Sequence, residues 1–127
     1  MLGHSMGAEI TLHAAALKGR LKGASIWSVS VPAATNSVTQ QAQIAAYSQL
    51  DNIYSPMNIH HANNDPTAPF EGSAMIASQL KQLGKPPKLY PYMSTNHLFT
   101  GDNLQLAISR DIAFFRRIML IQDGFEK

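Results

Sequence analysis

Three residues far apart in the chain could together activate a hydroxyl for attack on an acyl carbon: Ser5, Asp65 and His97. A serine hydroxyl is a poor nucleophile alone. It needs a base to take its proton, and the base needs a carboxylate to fix its tautomer. Ser5 lies in Gly3-His4-Ser5-Met6-Gly7, which has the G-x-S-x-G spacing of a nucleophile elbow. An elbow turns sharply from strand to helix and leaves the serine exposed at the bend. Its two glycines are expected to remove side chains that would collide there. The serine then stands at a helix N-terminus, where the Met6 backbone N–H can face a developing oxyanion. The pentapeptide alone reads equally well as a serine-containing turn. A phosphate loop is set aside because the G-K-[ST] ending is missing.

Such groups converge only if the strands that carry them end at a common edge. From Ala8 the pattern is helical, with Ile10, Leu12, Ala14, Ala15 and Leu17 among small residues. Lys18-Gly19-Arg20 makes a suitable helix end, since cations favour the C-terminal dipole and glycine tolerates the left-handed region. Residues 24–29 read as a strand. Residues 30–55 are polar and Gln-rich, with a weak helical pattern through Ile44, Ala45, Tyr47 and Leu50. Residues 56–61 read as a second strand, with Pro56 at a permitted first position. Asn63-Asn64-Asp65-Pro66 is turn chemistry. Helical spacing at Ile76, Ala77, Leu80 and Leu83 stops at Gly84-Lys85-Pro86-Pro87. Residues 88–93 form a third strand and 94–101 a loop. The last helix is expected over 104–120, capped by Asp102, with Leu104, Ile108, Ile112, Phe115 and Met119 on one stripe. Strands alternating with helices predict an α/β fold: a parallel sheet of about three strands, flanked by helices joined through right-handed crossovers. Asp65 follows the second strand and His97 the third. Both therefore fall at the C-terminal edge of the sheet, where ligands bind in such folds.

Composition narrows the function classes. A chain of 127 residues suits one domain, spanning 1–127. Its 45% hydrophobic and 14% charged content is that of an ordinary globular protein. A net charge of +2, with scattered Lys and Arg, argues against nucleic-acid or membrane-surface binding. The tightest basic pair, Arg116-Arg117, reads as a solvated helix face. There is no cysteine, which excludes disulfides, thiolate metal sites and a Cys nucleophile. No apolar run reaches the roughly 18 residues that span a bilayer. None of this identifies the compartment.

Taken together, Gly3-His4-Ser5-Met6-Gly7, Asp65-Pro66-Thr67-Ala68-Pro69 and His97-Leu98-Phe99 resemble the α/β-hydrolase superfamily. The likeness is to the branch of prolyl-oligopeptidase-type peptidases, dienelactone-hydrolase-like enzymes and related esterases. The second segment is similar to that branch's D-x-x-V-P, with Ala68 in place of Val. The third is similar to its H-x-F. The helix over 73–83 followed by Gly84-Lys85 also resembles the branch. Two positions depart from it: Ala62 and Ala8 stand where the family often has glycine. Neither carries a reacting group. The resemblance implies a partial α/β-hydrolase fold, the catalytic half, with the strands that precede the elbow absent. It implies Ser5 as nucleophile, His97 as base, Asp65 as the acid that orients it, and Met6 N–H as an oxyanion donor. The substrate would be a small ester or peptide, and neither metal nor organic cofactor is needed.

The same resemblance implies a gap. The strand into Ser5 is reduced to Met1-Leu2, and the loop that normally carries the second oxyanion donor has no counterpart in the chain. Losing one donor typically costs roughly a hundred- to a thousandfold in turnover. The chain is therefore expected to be a C-terminal portion of a longer hydrolase, with Met1 an internal methionine. By itself it would be weakly active or inactive, and able to oligomerise through the open sheet edge. Elsewhere, His60-His61 near Asp65 could suggest a metal pair, but strand histidines explain them better. His4 is expected to pack on the sheet or touch the pocket, and His13 to lie on a helix surface. Trp27, Phe99, Phe114 and Phe115 are expected in the core. The roughly 25 residues between the first two strands leave no room for a large lid.

Overall fold

A computed structural model describes residues 1–17, 21–31, 47 and 49–122, the side chains of 121 and 122 excepted. The expected helix end at Lys18-Gly19-Arg20 and the helical positions Ile44 and Ala45 lie outside the described residues. Strands β1 (Leu2–His4), β2 (Ala24–Trp27), β3 (Met57–Ala62) and β4 (Lys88–Tyr92) form one sheet, all neighbours parallel, in the order β1-β2-β3-β4. Helix α1 (Met6–Ala16) connects β1 to β2, α2 (Phe70–Gln82) connects β3 to β4, and α3 (Gly101–Gln122) follows β4. This is the parallel sheet flanked by helices of a partial α/β-hydrolase fold.

The sheet is one strand wider than three because the residues before Ser5 pair with β2. Ser25 N–H donates to Met1 O at 2.9 Å, and Ser5 N–H to Trp27 O at 2.8 Å. A three-residue strand is too short to show alternation in sequence, so its register with Ser25, Ile26 and Trp27 becomes visible only in three dimensions.

The two faces of the sheet differ in chemistry. On one, Ala24, Ile26, Met57 and Ile59 meet Ala8, Leu12 and Ala15 of α1, Ile76 and Leu80 of α2, Leu50 of a short 3-10 turn, Leu50–Asn52, and Ile53 just after it. On the other, Ser25, Trp27, Asn58 and His60 aim at one carboxylate, Asp111 of α3. The period-2 alternation of a strand sends Ile26 and Ile59 one way and their neighbours the other.

That carboxylate sets how α3 lies. Only the start of the apolar stripe packs inward, with Leu104 against the Trp27 and Phe99 cluster: Ile108, Ile112 and Met119 are 43%, 50% and 64% exposed, while Ala107, Asp111, Phe114 and Ile118 face the sheet. Burying Asp111 among its donors fixes the rotation of the helix. The apolar stripe then borders an open groove of about 490 Å³ beside Leu2 and Trp27. Phe115 is half-buried at this groove rather than in the core, whereas Trp27, Phe99 and Phe114 are buried as expected. Asp102 sits inside the first turn of α3 instead of capping it. Among the described residues, no helix is long and apolar enough to cross a membrane.

Candidate active site

The elbow holds its serine under backbone strain. Ser5 has φ 55° and ψ −117°, a region that typically costs a side-chain-bearing residue about 1–3 kcal/mol. The strain is held by Ser5 N–H on Trp27 O and by Ala8 N–H on Ser5 O, at 2.8 and 3.0 Å. The two glycines are not equivalent. A Cβ at Gly3 would stand 2.0 Å from Gly7 O and 2.4 Å from Thr11 Oγ1, so only glycine lets β1 run so close to α1. A Cβ at Gly7 would meet nothing within 4 Å, contrary to the expectation that both flanks collide. Gly7 contributes instead through its carbonyl, which accepts from Thr11 Oγ1 at 2.8 Å and is the group a Gly3 side chain would strike.

Asp65 is held by the turn after β3. Its Oδ1 accepts from Thr67 N–H and Ala68 N–H at 2.8 and 2.9 Å, which leaves Oδ2 for His97 Nδ1 at 2.8 Å. The carboxylate side chain is fully buried. Burial pushes its pKa up, but the Ala68 N–H, the His97 hydrogen bond and the Thr67 N–H outweigh this and hold it below the ordinary 3.8. An ionised carboxylate only accepts, so His97 Nδ1 carries the proton. His97 Nε2 is then an acceptor, 2.9 Å from Ser5 Oγ. The structure thus brings Ser5, His97 and Asp65 into one hydrogen-bonded row at the C-terminal edge of the sheet. Beside Ser5, the Met6 N–H in the first turn of α1 has no acceptor among the described residues, as befits a helix N-terminus.

Residues 2–121 match the prolyl oligopeptidase family. The chain belongs to that family. Among solved structures, this prolyl oligopeptidase family member is similar to dipeptidyl peptidase 4 of Porphyromonas gingivalis, with TM-score 0.75 and 17% identity over 89% of this chain and 18% of that one. It is similar to the esterase domain of a Rhodothermus marinus protein, with TM-score 0.72 and 15% identity over 91% of this chain and 58% of that one. Esterase 2 of Thermogutta terrifontis, phosphorylated by paraoxon, gives TM-score 0.69 and 20% identity over 98% of this chain and 53% of that one. At these identities the likeness is one of fold. The chain spans about a fifth of the peptidase and little more than half of each esterase. No curated protein matches the sequence.

Two further groups in this family member fix the histidine loop. The His97 carbonyl accepts from Ser28 Oγ at 3.0 Å and from His4 Nε2 at 2.8 Å. The His4 and His97 rings also pack, with centroids 4.9 Å apart. His4 is therefore tied to the His97 loop, half-buried in the elbow. Ser28 reaches this carbonyl from the end of β2 at φ 50°, a second non-glycine residue in the left-handed region. Nothing in the sequence distinguishes Ser28 from the other strand-end serines, because its role arises from the register of β2 against β1.

The pair His60-His61 is split by the strand. His61 points to the α2 side, where Nδ1 lies 2.6 Å from Ser73 Oγ and Nε2 lies 2.7 Å from Ala68 O and 3.5 Å from Asp65 Oδ2. A carbonyl only accepts, so Nε2 carries the proton and Ser73 donates to Nδ1. His61 thus anchors the turn that presents Asp65. Burial holds its pKa below 6.5, outweighing the Ala68 carbonyl and the Asp65 charge. His60 points to the opposite face and Asp111. Among the described residues, no group of three His, Cys, Asp or Glu could hold a metal ion.

Proposed function

We propose that this chain carries the chemistry of a serine hydrolase in which Ser5 is the nucleophile, His97 the base and Asp65 its orienting acid. The observation that carries the reading is the row Ser5 Oγ to His97 Nε2 at 2.9 Å and His97 Nδ1 to Asp65 Oδ2 at 2.8 Å. Ser5 Oγ attacks the acyl carbon as its proton passes to His97 Nε2. Met6 N–H donates to the oxyanion. His97 then protonates the leaving alcohol or amine, and the acyl group stays on Ser5. A water deprotonated by His97 attacks this ester, and the carboxylic acid leaves as Ser5 regains its proton. Asp65 remains ionised throughout and stabilises the imidazolium. Membership in the prolyl oligopeptidase family supports a hydrolase. Carboxylic esters are proposed ahead of peptide bonds, because two of the three similar structures named above are esterases.

The test is intact-mass labelling of the purified chain with a fluorophosphonate. The paraoxon adduct of the Thermogutta esterase makes phosphorus electrophiles apt probes. A single adduct, lost in Ser5→Ala, is the expected result. A second reading is that the chain does no chemistry alone. It is favoured by the open β1 edge beside the elbow, whose Leu2 is 50% exposed. Folded, soluble protein that forms no adduct would establish that reading and overturn the first.

A further inference from the structure

At the end of the sheet opposite Ser5, a cavity of about 220 Å³ opens between the start of β4 and α3, lined by Asn58, Lys88, Tyr90, Arg110, Phe114 and Arg117. Its inner wall holds an unsatisfied group. The Asn58 side chain is 1% exposed and donates Nδ2 to Asp111 Oδ1 at 2.9 Å, but its Oδ1 has no partner. It is the one buried side-chain N or O atom so orphaned among the described residues. Reversing the amide would set Oδ1 against the Asp111 carboxylate, so the orientation is fixed and the carbonyl calls for a hydrogen-bond donor. The charged residues on the wall are all cations. Lys88, Arg110 and Arg117 pair with no carboxylate among the described residues, where every ion pair is His to Asp. Arg110 is preset by aromatic faces, its guanidinium 4.4 Å from the Tyr90 ring centre and 5.4 Å from that of Tyr92. The nearby Asp111 already has four donors on its two oxygens.

A ligand complementary to this wall is an oxyanion that keeps one O–H. We propose that the cavity binds small phosphates, with phosphoryl oxygens on Arg110, Arg117 and Lys88 and the remaining P–O–H donated to Asn58 Oδ1. Guanidinium groups match phosphate oxygens in pairs. The Asn58 carbonyl adds discrimination, because it repels an oxyanion that has no proton to donate. The site is independent of Ser5 and of the hydrolase reading.

Inorganic phosphate and sulfate separate the proposal from simple charge screening, since they are alike in size and sulfate lacks the O–H at neutral pH. Isothermal titration of the full chain in chloride buffer at constant ionic strength is expected to show one phosphate site, with sulfate at least about tenfold weaker. Arg117→Gln, at an exposed position, should weaken phosphate at least about tenfold without altering fluorophosphonate labelling at Ser5. Equal binding of the two anions, or phosphate affinity unchanged in Arg117→Gln, would mean general counterion attraction and overturn the proposal. No phosphate binding would overturn it too, leaving water as the partner of Asn58.

Discussion

Two of the places where serine, histidine and aspartate meet in this molecule are wired in opposite ways. At the C-terminal edge of the sheet, His97 stands between Ser5 and Asp65 and bonds to both. Under α3, Asp111 stands in the middle: Ser25 Oγ and His60 Nε2 both donate to it, at 2.7 and 2.9 Å, along with Trp27 and Asn58. The residue types are the same and the wiring is opposite. A hydroxyl that donates to a base can lose its proton into the row. A hydroxyl that donates to an ionised carboxylate is only held by it. His60 has no acceptor nitrogen left for Ser25, since Asp111 takes Nε2–H and Tyr92 OH lies 2.7 Å from Nδ1. Backbone strain follows the same division. Ser5 sits at φ 55°, whereas Ser25 lies in a regular strand. The first wiring is the one proton transfer would require, and the second is anchorage.

The widest separation should come from the serines. Ser5→Ala is expected to abolish fluorophosphonate labelling, while Ser25→Ala keeps the labelling rate and loses about 1 kcal/mol of stability. If Ser25→Ala removed the label instead, the assignment of roles to the two sets would be reversed. Next come the acids. Asp65→Asn leaves the histidine without the carboxylate that fixes its tautomer, and hydrolysis of a p-nitrophenyl ester should drop about ten-thousand-fold. Asp111→Ala should leave that chemistry intact in folded protein but strand four buried donors, costing about 3–5 kcal/mol in urea unfolding. Equal effects of the two substitutions on unfolding would erase the distinction.

A smaller effect reads His61 through pH. His61 is held below 6.5, so the unfolded chain takes up its proton first as pH falls. Stability should therefore decline from about pH 6.5 down to the lowered value. A second decline follows as Asp65 and Asp111, both held below 3.8, are protonated in the folded state. For Asp111 burial pushes upward, and the hydrogen bonds from His60, Asn58 and Ser25 outweigh it. Denaturant midpoints measured across pH should show both steps, and His61→Gln should remove the first. An unchanged first step in that variant would acquit His61. Smallest is His4→Ala, which removes one of two donors from the His97 carbonyl. A loss of about fivefold in kcat with little change in KM is expected, since one hydrogen bond contributes about 1 kcal/mol and acts through the base rather than on substrate. A change confined to KM would instead make His4 a pocket residue.

The elbow, the two loop residues that meet it and the parallel sheet were legible in the sequence because each depends on short-range chemistry. Glycine at position 3 answers a close approach four residues away, and Asp65 and His97 follow strands whose ends share an edge in any parallel sheet. Other features depend on register and on helix rotation, which no local pattern encodes. Beyond Leu104, the apolar stripe of α3 predicts the wrong buried face, because periodicity counts hydrophobic residues and has no term for a carboxylate that four donors draw inward. The split of His60 from His61 follows from strand alternation, but what each meets does not. Ser28 becomes a support for His97 only through the pairing of β2 with β1, and Asn58 becomes an orphan acceptor only once Asp111 takes its amide N–H. Residue order thus established which groups could do chemistry, because that follows from their types and spacing. Whether a given serine meets an imidazole nitrogen or a carboxylate was decided by packing across the sheet, because a hydrogen bond's direction depends on which partner is brought within about 3 Å of it.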